Sequence, residues 1–489
     1  MGQNFSVSSA SSTRKTVAGL TMVVIGCGLL VVLRDPILLL PNALVAAATV
    51  IAGAVPTIRY ITMSPEQKPM VPGLELIGVF YAAFFGLPVF FLHLLRFGYS
   101  NSIVTYNRIE LDQLNFDAQS AIFISLLLFY IGWLSIKNGA WGRHWRLRFP
   151  APPSRNHSIL ALLGLAIVNV VYELIPFFRA LPSVGQFAGP AGFISMIGFL
   201  YLYLKSKKPS PWLTLLIGVY APVWTYNSFK SAFLTQLVLM FIMLAVTYIW
   251  VRKSIPWLSI VVVIAMTIFA YPTLSKFRVY MWQHHSNSSV VQTIENFSRA
   301  IKYTYVIPHQ RLDWRGAVQR IALIVPFSHV VDVTPSKIEL LKGATYRPLL
   351  TSYIPRLFWK SKPTEQFGNE FGHRYSLMHY TDHQSSLNVP WVTELYANFG
   401  FTGLFLGMTL FGAGMAMFSR FLTGMDRTEI GSAVAIAVLV PLSFHESNFS
   451  LMVGSILPLL ICLWIYFRVA FLLPIPAASA PENMSLKSD

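Results

Sequence analysis

Apolar positions along the chain gather into runs long enough to cross a hydrocarbon core of roughly 30 Å, which takes about 20 residues of helix. Such runs occupy residues 16–33, 37–58, 73–97, 119–136, 158–178, 188–204, 212–226, 229–250, 257–274, 391–418, 430–446 and 451–470. They predict an all-α polytopic membrane protein with about 12 transmembrane helices. Between the ninth and tenth runs the pattern breaks, and charged, aromatic and Pro/Gly positions replace the apolar ones. The chain thus divides into spans 1–9 over 1–274, one large loop over 275–390, spans 10–12 over 391–470, and a polar tail over 471–489. No fixed-period repeat is visible.

The loop has a pattern of its own and is neither Gly/Ser-rich nor poor in aromatics, so it is not a flexible linker. Ile294, Phe297, Ile301 and Tyr305 recur at helical spacing, with Glu295, Arg299 and Lys302 on the other face, which predicts an amphipathic helix over 291–305. Residues 317–331 are apolar but too short to span, and read as a re-entrant or interfacial helix. Thr334 followed by Pro335 is a helix-start signal, predicting a short helix that ends at Gly343. From Tyr346 onward, aromatic and basic residues punctuated by Pro and Gly read as an ordered loop.

Composition agrees with the pattern: 54% of residues are hydrophobic and 12% charged, which excludes a soluble domain. The two cysteines, Cys27 and Cys462, lie inside apolar runs and offer neither a disulfide framework nor a metal site. The first run follows Arg14 and Lys15 and lacks a small-residue cleavage site, so it reads as retained rather than as a signal peptide. The formal charge is +17, and most of the Lys and Arg of the short connections falls on alternate loops. Those loops are then cytoplasmic, together with both termini, and the 275–390 segment is outside. That segment holds fourteen basic residues against seven acidic ones. A basic surplus beside the membrane is what a phosphate-bearing lipid substrate needs.

Several chemistries are absent as motifs. There is no Gly-rich phosphate loop with Lys and Ser/Thr, no His-Glu-x-x-His, no Gly-x-Ser-x-Gly and no dinucleotide fingerprint. The histidines His373, His379 and His383 read as hydrogen-bonding or surface groups, and no metal, cofactor or nucleic acid is expected. Arg278, Arg347, Arg356, Lys362 and Arg374 are candidates for gripping a pyrophosphate or for anchoring the loop to headgroups, since Arg offers bidentate contacts to phosphate oxygens. Glu394 opens the tenth run just after the basic loop. An acid in a span is either a functional group, here a general base, or a charge favoured by the helix start. Glu173 and the pair His445-Glu446 stand at the outer end of their spans and either point to an external cavity or simply lie at the interface. Gly400, Gly403, Gly407, Gly412 and Gly414 permit close helix packing.

One stretch resembles a known family. Tyr353-Ile354-Pro355-Arg356-x-Phe358-Trp359-x-x-Lys362-Pro363, then Gly368-Asn369-x-Phe371-Gly372, then Glu394-Leu395-Tyr396-x-Asn398-Phe399-Gly400-x-x-Gly403, resembles the Wzy-type O-antigen and exopolysaccharide repeat-unit polymerases. The resemblance covers roughly residues 345–415. The chain departs from the Arg-x10-Gly pattern of some members, because Gly368 follows Arg356 one position too late. The resemblance implies a metal-independent, inverting glycosyltransferase of a bacterial inner membrane, with the large loop periplasmic. It would move a growing glycan from undecaprenyl pyrophosphate to the non-reducing end of a new lipid-linked unit. Arg356, Lys362 and Arg374 would hold the donor pyrophosphate, and Glu394 or one of His373, His379, Asp382 and His383 would activate the acceptor hydroxyl. Partners implied are the lipid-linked oligosaccharide, membrane lipids, a repeat-unit flippase and a chain-length regulator. An O-antigen ligase of the same layout is the closest alternative. A flippase of lipid-linked oligosaccharide is the other, although it would carry charges in the middle of its spans.

Overall fold

A computed structural model describes residues 40–92, 105–106, 109–110, 114–138, 146–181, 184–230, 234–283, 290–306, 318, 320–352, 354, 359, 367–383, 385–424 and 428–472. Helices dominate it. In chain order they are α1 (Leu40–Thr62), α2 (Gly73–Tyr81), α3 (Phe116–Asn138), α4 (Arg155–Leu174), α5 (Pro176–Ala180), α6 (Val184–Lys205), α7 (Pro211–Lys230), α8 (Leu234–Arg252) and α9 (Trp257–Gln283). After them come α10 (Val290–Ile301), α11 (Ile324–Val333), α12 (Leu349–Ser352), α13 (Phe367–Arg374), α14 (Trp391–Thr423), α15 (Glu429–Leu442), α16 (Phe449–Gly454) and α17 (Ile456–Ala470). The described strands are two residues each, Thr105–Tyr106 paired antiparallel with Ile109–Glu110.

Among the described residues, nine helices are long and apolar enough to cross a membrane. They fall on nine of the twelve apolar runs. The run at 16–33 lies outside the described residues. The run at 212–226 folds as α7, which is not apolar enough to count with the nine. The run at 430–446 folds as α15, which stops at Leu442 after 14 residues. Ile430, Leu442 and the whole stretch from Ser432 to Val440 are buried. A short helix that is apolar all round is a core helix, and its start is fixed by Thr428, whose Oγ1 accepts the Gly431 N–H at 3.1 Å.

The tightest helix pair, α3 with α14, is made by glycine. A Cβ on Gly132 would meet the Thr409 carbonyl, and one on Gly412 would meet the Phe129 carbonyl. Of the glycine series in the tenth span, Gly412 is thus the one at a backbone-to-backbone crossing, while Gly403 and Gly407 face Phe399 and Leu395. Gly400 does something else. At φ 66 and ψ −163 it breaks α14 into an arm, residues 391–399, and a longer shaft. That backbone region is essentially glycine's alone.

The predicted amphipathic helix of the loop forms as α10, followed by a π-turn over Lys302–Val306. Its faces differ from expectation: Thr293, Asn296 and Ala300 point inward, whereas Val291 and Ile294 are 65% and 62% exposed. The expected interfacial helix forms as α11 but is buried in protein, with the Leu323 N–H donating to the Phe84 carbonyl at 3.1 Å. The helix expected at Thr334–Gly343 does not form. The Thr334 carbonyl that would accept its first N–H takes the Tyr396 hydroxyl at 2.9 Å instead, while the Ile338 N–H turns back to the Val333 carbonyl at 2.9 Å, and the segment runs through turns to Gly343, whose φ is 84. The ninth span extends past 274 to Gln283, into the segment assigned to the loop.

Candidate functional site

The arm of α14 carries the first candidate. Glu394 is fully buried. Its Oε1 accepts the Thr345 hydroxyl at 2.6 Å, and its Oε2 accepts the Phe449 backbone N–H at 2.7 Å. Asn398, one turn on, donates to the Thr345 hydroxyl at 2.9 Å and accepts the Gly343 N–H at 2.9 Å. A helix's last carbonyls have no intrahelical partner. Here the kink at Gly400 ends the arm, and the carbonyls of Ala397 and Asn398 are taken by the N–H groups of Leu341 and Lys342, at 2.9 and 3.1 Å. Main chain and side chains together splice the loop at 341–345 onto the span. Tyr346, beside them, is half-buried, and burial of its hydroxyl and then the Glu394 charge hold that hydroxyl well above the usual phenol range.

A second group lies on α13 and the loop after it. Asn369 donates from its amide nitrogen to the carbonyls of Asp382 and Ser385, at 3.0 and 2.7 Å. The Ser385 N–H donates to the Asp382 carboxylate at 2.9 Å. A Cβ on Gly368 would strike Ser386 and the Leu387 carbonyl, so the loop lies directly on the helix. The result is a cavity of about 440 Å³ lined by Leu377, Met378, His379, Asp382, Ser385, Ser386 and Leu387.

Hydrogen bonds assign the ring nitrogens there, since a carbonyl only accepts and a backbone N–H only donates. His373 Nε2 lies 2.9 Å from the Asp382 carbonyl and is therefore the protonated nitrogen. His379 Nδ1 accepts the Thr381 N–H at 3.3 Å, which places its proton on Nε2. The His383 ring lies 5.4 Å from that of His373. His373, His379, Asp382 and His383 are thus brought together, with Asp382 as the carboxylate at the cavity and His379 as an N–H donor. Among the described residues no three His, Cys, Asp or Glu side chains gather so as to hold a metal ion.

The candidate cations each have different neighbours. Arg374 donates to the Glu339 carbonyl at 2.8 Å, and Arg347 is exposed just after the 344–346 turn. Arg278 lies within electrostatic reach of Tyr271 and Arg320. Arg356 and Lys362 lie outside the described residues. Arg320, which the sequence reading did not single out as a site residue, forms an ion pair with Glu446, and Asn388 donates to the same carboxylate oxygen at 2.7 Å.

The residue before Glu446 is a buried histidine. His445 stacks on Trp391 with ring centroids 3.9 Å apart, and Phe80, Tyr81 and Phe129 complete the enclosure. Neither ring nitrogen has a hydrogen-bond partner among the described residues. Burial pushes its pKa down to about 3, so the imidazole is neutral. An apolar run ending in His445-Glu446 suggested two groups facing one cavity. Instead Glu446 faces Arg320 and His445 faces aromatic rings.

The family described as "Domain of unknown function (DUF8712)" matches over residues 55–475. No curated protein and no solved structure matches the chain.

Proposed function

This chain belongs to the DUF8712 family, a membership that assigns no reaction, and we propose from its own residues that it polymerises lipid-linked oligosaccharide repeat units. The observation that carries the reading is the cavity in which His379 and Asp382 face one space. It is built on the Gly368-Asn369-x-Phe371-Gly372 stretch that resembles the Wzy-type polymerases.

The reaction is an inverting glycosyl transfer. A hydroxyl of the acceptor's non-reducing sugar attacks the anomeric carbon of the donor glycan. The carbon–oxygen bond to undecaprenyl pyrophosphate breaks, and the leaving group departs with the electron pair. Asp382 takes the hydroxyl proton, and the His379 Nε2–H donates to a substrate oxygen. Arg347 and Arg374, with Arg356 and Lys362, neutralise the departing pyrophosphate. Glu394, fully enclosed by its partners, positions the loop. The protein works in a bacterial inner membrane with the loop periplasmic. A flippase supplies its substrate and a chain-length regulator limits its product.

Purified protein supplied with a synthetic undecaprenyl-pyrophosphate-linked repeat unit should give a ladder of oligomers on size separation. Asp382→Asn should slow the ladder by about 100-fold or more, the usual contribution of a general base, and His379→Ala should slow it less. No ladder from the wild-type protein, or ladders at wild-type rate from both variants, would end the proposal.

A further inference from the structure

The limb formed by α10 and its π-turn runs antiparallel to the loop-side end of α9, and a ladder of contacts fixes the register. The Asn296 amide donates to the Met281 sulfur at 3.7 Å. The Phe297 ring meets that of Phe277 edge-on at 5.6 Å, the Lys276 ammonium lies 4.9 Å from the centre of the Tyr303 ring, and the Tyr305 hydroxyl donates to the Phe269 carbonyl. As the numbers rise along the limb they fall along α9. The limb therefore stands along the span instead of lying across its end.

The depth it reaches follows from α9. From Trp257 up to Lys276 the helix carries no charged side chain, and over that length it rises about 29 Å at 1.5 Å per residue, against a hydrocarbon core of roughly 30 Å. Lys276 thus marks the loop-side edge of the core, and Phe269 lies about 10 Å inside it. The charges of the limb respect the same edge. Glu295, Arg299 and Lys302 all precede Tyr303, which is level with Lys276, and no charged residue follows as far as Val306. Backbone that enters hydrocarbon must pair its own N–H and C=O groups, and the chain does so by continuing α10 as a π-turn over Lys302–Val306.

The surface of the limb matches this placement. At about 3.6 residues per turn, Thr293, Asn296 and Ala300 form the side that points inward, Glu295 and Arg299 one flank, and Val290, Ile294 and Ile301 the other. Those three are 54%, 62% and 39% exposed, and Tyr305 and Val306 at the tip are 48% and 62% exposed. At Phe269, itself 62% exposed, the apolar surface of the tip joins that of α9, a helix long and apolar enough to be a span.

We propose that this limb is re-entrant: its tip, from Ile301 to Val306, inserts among the lipid chains of the leaflet on the loop side, while Val290 stays at the water-facing end. The partner of the apolar flank is bilayer hydrocarbon. The limb stands apart from the Asp382 cavity, and its placement does not depend on the reaction assigned to that cavity.

Nitroxide labels on single cysteines test it, in the full chain carrying Cys27→Ser and Cys462→Ser and held in phosphatidylcholine nanodiscs. The labelled variants are Val290→Cys, Ile294→Cys, Ile301→Cys and Val306→Cys, with Glu295→Cys on the charged flank, all at exposed positions where a label leaves the packing intact. Each label is read by its collisions with oxygen, which concentrates in lipid, relative to those with a water-soluble nickel chelate. The oxygen-to-nickel ratio should climb in the order 290, 294, 301, 306, by at least fivefold from first to last, and should stay at the water value at 295. Equal ratios at 290, 294 and 301 would mean a helix lying flat on the membrane. Water-like ratios at 301 and 306 would mean a limb standing in solvent, and few collisions with either reagent there would mean that a second copy covers the tip. Each of these outcomes overturns the proposal.

Discussion

The Glu394 carboxylate accepts the backbone N–H of Phe449 at 2.7 Å, although 55 residues separate them in sequence. The same carboxylate takes the Thr345 hydroxyl, so one buried acid joins the arm of α14, the loop at 343–346 and the start of α16.

Replacing that acid separates a positioning role from a chemical one. Glu394→Ala leaves two buried donors without an acceptor, at about 1–3 kcal/mol each. Glu394→Gln keeps one accepting oxygen and sets an amide N–H₂ against the other donor, so its loss should be smaller. Thermal unfolding in detergent should rank wild type above Gln above Ala, with polymerisation following the same order. Full stability in the Gln variant with complete loss of activity would instead make Glu394 a base.

His445 gives the protein a pH dependence of defined sign. Its folded pKa, about 3, lies below the ordinary histidine value of 6.5, so between these values the unfolded chain binds the additional proton. Stability should fall as pH drops below about 6.5, by roughly 1 kcal/mol per unit from this group. His445→Phe keeps an aromatic ring in the enclosure and should flatten that slope. Unfolding temperatures of both proteins from pH 7 to pH 4 would show it, and parallel slopes would contradict it.

The Asp382 loop depends on Asn369. Asn369→Leu removes two hydrogen bonds to the loop, a loss of about 1–3 kcal/mol, and should open residues 375–387 to proteolysis while the spans stay intact. Gly368→Ala should do the same by contact, since its methyl group would press on Ser386 and Leu387. Unchanged cleavage in both variants would show that the loop is held elsewhere.

The two special glycines of α14 should fail for different reasons. Gly412→Val forces α3 and α14 apart, at about 1–3 kcal/mol for overpacking, and Gly412→Ala should cost less. At Gly400 a Cβ would touch nothing within 4 Å, so the penalty is one of backbone conformation and should be similar for Ala and Val, at about 1–3 kcal/mol. Unfolding midpoints of the four variants test the contrast.

The architecture was legible where one physical term dominates. A run of some 20 apolar residues has few fates other than a span, and among the described residues nine runs form such helices. Residues 430–446 misled because a helix buried in protein and one buried in lipid share the same apolar signature, and only the length of α15 tells them apart. Thr334-Pro335 carried a sound local start signal, yet Tyr396, 62 residues away, took the Thr334 carbonyl that would have accepted the helix's first N–H. Of the candidate site, the sequence showed a cluster of residue types, and two of them, His379 and Asp382, line one cavity. The pairing of Glu394 with Phe449, the enclosure of His445 and the ion pair of Arg320 with Glu446 were not legible, because each joins segments that no periodicity relates.

The break at Gly400 leaves two carbonyls of the arm, those of Ala397 and Asn398, to be matched by the main chain of Leu341 and Lys342. A joint made of peptide groups places almost no demand on which side chains flank it. Among relatives, positions 341 and 342 should therefore accept varied residues yet refuse proline, which has no N–H to give. The hinge glycine should be kept, so that mutation can reshape the surface of this loop without loosening its attachment to the span.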